Sequence, residues 1–345
     1  MTARALPVTA SLLLTLGLFS SGELAVGADD ALESQSQQAA AALSTNPTWT
    51  DLGSVRGVKS SYTPWVVTGP NQIRVYSNHN GKGNGDGRWY MASGTFRSVG
   101  SWTQVLNPSQ IFDIPVLPGC AYNSPFVRTN AAVKGPSGKY YALLHIRDCY
   151  TPTNTGDVPT WLTSNDGLTW TYHGRLRIDG GYPNVGGNSN DLIVQEEKPA
   201  VLDTVNPANN RFLYYDTIYT SYGFAKMALI YSADGVDWYQ HRDATGQVAD
   251  LWPTDPLVAP YTPGFIAATK TPAGFHVISP DTYPTVKMLH LFSCDGVNFR
   301  VLDADSETAD GPKGTNLVYE PATGLLHALS TGTHFSLVEE FWSCN

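Results

Sequence analysis

One short turn, written three times, narrows the possible folds more than any other feature of the chain. Ser164-Asn165-Asp166-Gly167-Leu168-Thr169-Trp170, Ser232-Ala233-Asp234-Gly235-Val236-Asp237-Trp238 and Ser293-Cys294-Asp295-Gly296-Val297-Asn298-Phe299 share the pattern S-x-D-G-x-x-aromatic. Asp-Gly suits a tight hairpin, the Ser and Asp oxygens can accept turn amides, and the aromatic ring can pack beneath. Three copies read as structural turns at the outer edge of a repeated sheet, with no catalytic role of their own.

Each copy is preceded by two further recurring pieces. Four runs open on a small or charged residue, a proline and apolar residues: Thr63-Pro64-Trp65-Val66-Val67, Ser124-Pro125-Phe126-Val127, Lys198-Pro199-Ala200-Val201 and Thr262-Pro263-Gly264-Phe265-Ile266. A fifth, Gly314-Thr315-Asn316-Leu317-Val318, lacks the proline. A proline has no N–H to give a ladder, so it marks a strand start. A turn and a second apolar run follow each opening: Gln72–Tyr76, Lys139–Leu144, Arg211–Tyr215, Gly274–Ile278 and Leu325–Leu329. Gly and Asn, which accept positive φ, and Pro, which presets the turn, punctuate the gaps.

A four-stranded unit repeated about every 50 to 70 residues is the pattern of a β-propeller blade. Five openings predict an all-β, five-bladed β-propeller. Pro47-Thr48-Trp49-Thr50-Asp51-Leu52-Gly53 resembles the last strand of the second blade, beginning Leu168-Thr169-Trp170-Thr171, while the final unit stops at Phe341–Asn345 where a fourth strand would be due. The N-terminal strand is therefore expected to complete the last blade, closing an edge that would otherwise invite aggregation.

Composition bounds the partners. A formal charge of −9, with 21 Lys and Arg against 30 Asp and Glu, argues against a nucleic acid or an anionic membrane surface. Residues 1–28 read as a secretion signal, with Arg4, an apolar core Ala5–Phe19 and the small-residue site Val26-Gly27-Ala28; the core is shorter than the ~20 residues a spanning helix needs. Residues 29–46 are a polar leader or linker, and 47–345 a single propeller domain. Export to an oxidising compartment makes disulfides expected, and spacing and repeat position favour Cys120 with Cys149 and Cys294 with Cys344. No zinc motif occurs, and no cofactor is expected. Asn80–Gly87 has spaced oxygen ligands like a Ca2+ loop, but Lys82 and the missing terminal Glu make it a hairpin, so a channel Ca2+ lacks support.

Within a blade, the innermost strand starts on the face where its antiparallel neighbour ends. That face gathers Tyr62, Thr63, Asn123, Ser124, Glu196, Glu197, Lys198 and Thr262 from the openings. The second strands add Asn78 and His79, then His145, Arg147 and Asp148, then Asp216, Asp281, Thr331 and His334. Carboxylates, a guanidinium and imidazoles around one axis form a candidate acid/base site. Trp65, Tyr62 or Tyr219 could stack on a sugar, although most of the aromatic residues must form blade core.

Five blades with S-x-D-G-x-x-W turns, and Glu197-Lys198-Pro199 opening the third, resemble the five-bladed propeller glycosidases: arabinanases, arabinofuranosidases, xylosidases, invertases and levansucrases. The resemblance implies that Glu197 is the general acid. It also implies Asp-Pro openings in blades one and two, where this chain has Thr63-Pro64 and Ser124-Pro125. Asp216 or Asp148 is therefore taken as the catalytic partner of Glu197, since cleavage needs one carboxyl protonated and another ionised. Glu196, His79, Asn123, Arg147, Tyr62, Trp65, Lys198 and Asp281 are the expected substrate-binding residues. The expectation is a secreted, monomeric glycoside hydrolase acting on a polysaccharide or oligosaccharide, with arabinofuranose- or xylose-containing chains as the candidate substrates. Two alternatives stand beside it: a non-catalytic carbohydrate-binding propeller, and a polysaccharide lyase using Arg147 or Lys198 with His145, Tyr62 or Tyr150.

Overall fold

The computed structural model describes residues 49–54, 65–77, 88–96, 109–113, 126–135, 137–147, 158–181, 200–202, 212–219, 225–258, 263, 266–279, 289–303, 316–330, 333–338 and 344. Among these the regular structure is entirely β-strand, and no helix is long and apolar enough to cross a membrane. In chain order the strands are β1 (Thr50–Ser54), β2 (Trp65–Gly69), β3 (Gln72–Ser77), β4 (Arg88–Gly94), β5 (Ser109–Asp113), β6 (Phe126–Lys134) and β7 (Tyr140–Arg147). There follow β8 (Val158–Ser164), β9 (Trp170–Arg175), β10 (Arg177–Ile178), β11 (Ala200–Leu202), β12 (Phe212–Tyr219), β13 (Ala225–Ser232) and β14 (Asp237–Gln240). The last are β15 (Ala267–Lys270), β16 (Phe275–Ser279), β17 (Leu289–Ser293), β18 (Arg300–Asp303), β19 (Asn316–Glu320), β20 (Leu325–Ser330) and β21 (Thr333–Val338).

These strands form five antiparallel meanders, ordered β2-β3-β4-β5, β6-β7-β8-β9, β11-β12-β13-β14, β15-β16-β17-β18 and β19-β20-β21-β1. Strands β2, β6 and β11 begin on the residue directly after Pro64, Pro125 and Pro199, as the missing proline N–H dictates. The expected second strands are β3, β7, β12, β16 and β20. The first strands touch one another in a cycle, β2 to β6, β6 to β11, β11 to β15, β15 to β19 and β19 back to β2, which is a propeller-like arrangement. The N-terminal strand does complete the last sheet: β1 pairs antiparallel with β21, Thr50 opposite Ser336 and Ser54 opposite Thr333.

The sheets stack through shared apolar layers, which is why their strands read as continuous apolar runs rather than alternating ones. In the third sheet Leu213, Tyr215, Met227 and Leu229 pack with Phe275, Val277, Leu289 and Leu291 of the fourth. Their neighbours Phe212, Tyr214, Ala228 and Ile230 pack the other way, with Leu143 of the second sheet. Trp65, Ile73, Val75 and Phe96 meet Val318 between the first and fifth sheets. Strand β10 lies parallel to β14 and covers the outer edge of the third sheet. Asp179, at φ 52°, anchors that cover by accepting from Arg242 at 2.6 Å and from the Gln240 amide at 3.2 Å.

The three repeated turns share one hydrogen-bond pattern. Gly167, Gly235 and Gly296 donate their amides to Ser164, Ser232 and Ser293 Oγ at 2.8, 2.8 and 2.9 Å. Asp166 Oδ1 accepts the amides of Leu168 and Thr169 at 2.7 and 2.8 Å, and Asp295 Oδ1 those of Val297 and Asn298, both at 2.8 Å. These amides and the Ser164 hydroxyl hold the Asp166 carboxyl down at about 2. Burial pushes Asp295 up, but its turn amides, Asn298 and Ser293 outweigh that and it too lies at about 2. Each turn also touches the preceding sheet. Tyr76 on β3 donates to the Gly167 carbonyl at 3.1 Å, and Tyr215 on β12 to that of Gly296 at 2.7 Å. The same two tyrosines stand edge-on, each at 88°, to the turn aromatics Trp170 and Phe299. The motif thus fastens one sheet to the next.

Candidate functional site

All five first strands begin at one end of their sheets, and the second strands finish there. The pairs Trp65–Val75, Phe126–Arg147, Ala200–Tyr214, Ala267–Ile278 and Asn316–Leu329 mark that entry end. Arg147 is the last residue of β7, directly opposite Phe126, and His145 lies two positions earlier, paired with Thr129. Asp216 stands two residues beyond Tyr214, on the side from which the chain enters β11. Sequence reasoning put Asp216 at the end of its strand. Strand β12 instead runs on to Tyr219 and pairs Asp216 with Ala228 of β13, so this carboxylate sits on a ladder rather than in a loop.

Trp65 is placed differently from a sugar-stacking residue. It is 4% exposed and packs with Ile73, Val75, Phe96 and Val318, so its ring is blade core. Tyr219 ends β12, paired with Ala225. His334 lies in β21 opposite Leu329, at the start of a third strand rather than after a second. Glu197, Glu196, Lys198, Asp148, His79, Asn123, Tyr62 and Asp281 lie outside the described residues, as do Thr63, Ser124, Tyr150, the stretch 80–87, Cys120 and Cys149. Cys294 and Cys344 are joined, with Cα atoms 5.5 Å apart, as their spacing led us to expect.

Sequence reasoning missed one carboxylate near this end. Asp250 accepts the amides of Met227 at 3.2 Å and Trp252 at 3.0 Å, and Met227 pairs with Thr217, the neighbour of Asp216. Asp250 is solvent-exposed as a residue, and the protein packed around its carboxyl raises the pKa, against the pull of the Trp252 and Met227 amides and of Lys226. The Trp252 amide is a local contact that the Ala-Asp-Leu-Trp stretch allows, but the second amide comes from Met227 on a strand more than twenty residues earlier, which the sequence does not show.

Two further buried polar pairs lie within the sheets. His276 Nδ1 and His290 Nε2 are 3.0 Å apart, and burial first, then the neighbouring His276, pushes His290 well below the usual imidazole range. Glu320 Oε2 lies 3.0 Å from His327 Nε2 and accepts the Thr323 hydroxyl at 2.6 Å. Burial lowers His327, and the Glu320 hydrogen bond and charge oppose it. Glu320 and Leu325 pair at the hairpin end of β19 and β20, away from the entry end, so this pair belongs to the scaffold. Among the described residues no group of three or more His, Cys, Asp or Glu could hold a metal ion.

No protein-family model matches the chain, and no curated protein matches it. Solved structures do. A candidate glycoside hydrolase from Bacteroides ovatus superposes with a TM-score of 0.52 at 14% identity, over 86% of this chain and 94% of its own. A glycosyl hydrolase from the same organism gives 0.52 at 12% identity, over 86% and 91%. Identities this low speak to the fold alone, and they support the propeller-like arrangement of the sheets.

Proposed function

We propose that the chain is a secreted, monomeric, five-bladed propeller glycoside hydrolase acting on a polysaccharide or oligosaccharide, one containing arabinofuranose or xylose units. The five meanders and their cyclic first strands are the basis for counting five blades. The fold shared with two proteins named as glycoside hydrolases, and the Cys294–Cys344 bond expected of an exported chain, agree with this reading.

One observation carries the catalytic assignment. Asp216 is held on the β12 ladder at the entry end of the third sheet, and Glu197 stands three residues before Ala200, the first residue of the strand β12 pairs with. In this reading Glu197 is the general acid that protonates the leaving oxygen. Asp216, or Asp148 one residue past the end of β7, is the ionised partner, acting as base on water or as nucleophile. Arg147, Lys198, Glu196, His79, Asn123, Tyr62 and Asp281 would contact the sugar. A non-catalytic carbohydrate-binding propeller is the second reading, favoured by Thr63 and Ser124 in place of the aspartates of the glycosidases this chain resembles.

Wild type, Glu197→Gln and Asp216→Asn should be assayed on a panel of arabinans, xylans and fructans, with product analysis. General acid–base chemistry predicts that Glu197→Gln loses about 100-fold or more in kcat. Full activity in that variant would sink the assignment. Binding on a glycan array without turnover by wild type would select the second reading.

A further inference from the structure

The link from the third sheet to the fourth runs along the entry end. The Leu251 amide donates to the Met227 carbonyl at 2.8 Å, which puts Leu251 on the outer side of β13 at the point where Met227 faces Thr217. Ile266 closes the link, directly before Ala267, the residue that marks the entry end of the fourth sheet. Leu251, Val258 and Ile266 are buried in the core that the two sheets share, so the link is pinned to that core along its length.

Between these anchors a short turn holds an apolar side chain out in solvent. The Val258 amide donates to the Asp255 carbonyl at 2.9 Å and the Leu257 amide to Asp255 Oδ1 at 2.8 Å. Pro256, at the second position, presets the turn. Leu257 is left 64% exposed, the most exposed large apolar side chain among the described residues. Trp252 is tied to the same turn: its indole Nε1 donates to the Val258 carbonyl at 3.4 Å, and the residue packs on the shared core while staying half-buried. Among the described residues no other ring covers Trp252. Two residues earlier, Asp250 is exposed, and both amides it accepts fall on Oδ1. Its Oδ2 takes no hydrogen bond or salt bridge among the described residues.

We propose that Asp250, Trp252 and Leu257 form an outer subsite of the entry end that holds a neutral sugar unit of the substrate chain, an inference that rests on the hydrolase reading. A sugar carries C–H groups on its ring faces and hydroxyls at its edge. The indole and Leu257 offer apolar contact to the first, and Asp250 Oδ2 accepts from the second. The local charge selects against an anionic chain: Lys226 acts on both Asp250 and Asp243, so two carboxylates share one ammonium. Thr217, Met227 and Leu251 lie side by side, so the subsite is two strand spacings, about 10 Å, from the backbone next to Asp216. A single sugar ring does not span that distance, and only a chain of several units reaches both.

Affinity electrophoresis in native gels containing linear arabinan, xylan or polygalacturonate tests the proposal, using wild type, Leu257→Ser and Asp250→Asn. Wild type should be retarded by arabinan or xylan and not by polygalacturonate. Each variant should weaken that retardation about tenfold, through loss of an apolar contact in one and of a charge-assisted hydrogen bond in the other. Leu257 is exposed, and Asp250→Asn keeps an acceptor for the Met227 and Trp252 amides, so both variants should unfold at the wild-type urea midpoint. Retardation reads binding and product analysis reads turnover. A wild type that is retarded by arabinan or xylan but releases no product refutes the hydrolase reading and leaves the sugar contact standing. The proposal is overturned if neither neutral polymer retards wild type, if both variants are retarded as wild type is, or if polygalacturonate retards the protein as strongly as the neutral polymers.

Discussion

Replacing Gly296 by alanine tests whether the repeated turn is a fastener between sheets or only a local hairpin. Gly296 has φ of 78°, where an L-residue loses about 1–2 kcal/mol. The added Cβ would stand 2.7 Å from the Tyr215 hydroxyl and 3.2 Å from the Phe275 ring. Tyr215 is fully buried, and its hydroxyl is the donor to the Gly296 carbonyl at 2.7 Å. Relieving the clash therefore stretches the bond that joins the third sheet to the turn of the fourth, adding about 1–3 kcal/mol for poorly satisfied buried polar groups. The total is about 2–5 kcal/mol. Gly246 supplies the control: its φ is 81°, but nothing lies within 4 Å of an added Cβ, so Gly246→Ala carries the backbone cost alone. Any gain from a less flexible unfolded chain is common to both and cancels. Urea unfolding followed by tryptophan fluorescence should give Gly296→Ala the lower midpoint, by the equivalent of about 1–3 kcal/mol at an unchanged slope. Equal midpoints would refute the inter-sheet fastening.

Three other outcomes are expected. Tyr215→Phe keeps the ring packing on Phe299 but removes the donor to Gly296, and should cost about 1–3 kcal/mol in the same urea experiment. His290 stays neutral in the fold while an unfolded histidine takes a proton near pH 6.5. The unfolded state therefore binds more protons below that pH, and stability falls by up to about 1.4 kcal/mol per pH unit as pH drops from 6.5; His290→Gln should flatten the slope. A variant with the wild-type slope would show that His290 is not the group responsible. Reducing the Cys294–Cys344 bond, which spans 50 residues, should lower stability by about 2–4 kcal/mol, read as a midpoint shift with and without dithiothreitol.

The strand frame could be read from the chain because its causes are local. A proline without an N–H starts β2, β6 and β11, and Gly at positive φ turns the repeated hairpins, whatever the rest of the molecule does. Pairing of Thr50–Ser54 with Thr333–Val338 was also foreseeable, since the last unit lacks an outer strand and the N-terminal segment resembles one. The entry end could be anticipated too, because antiparallel order alone puts Arg147 opposite Phe126 and Asp216 near the start of β11.

What the sequence could not determine depends on neighbours distant along the chain. Trp65 has the same composition signal as a sugar-stacking residue, and only its packing with Phe96 and Val318 makes it core. The S-x-D-G turn looks self-contained in sequence, yet its partners Tyr76 and Tyr215 are more than eighty residues away. The pairing of Glu320 with His327 and of His276 with His290, and the stacking of His173 on Trp161 through a bulge, likewise follow from register and burial. Local backbone chemistry writes strands and turns; the environment of each polar side chain exists only once the sheets are stacked.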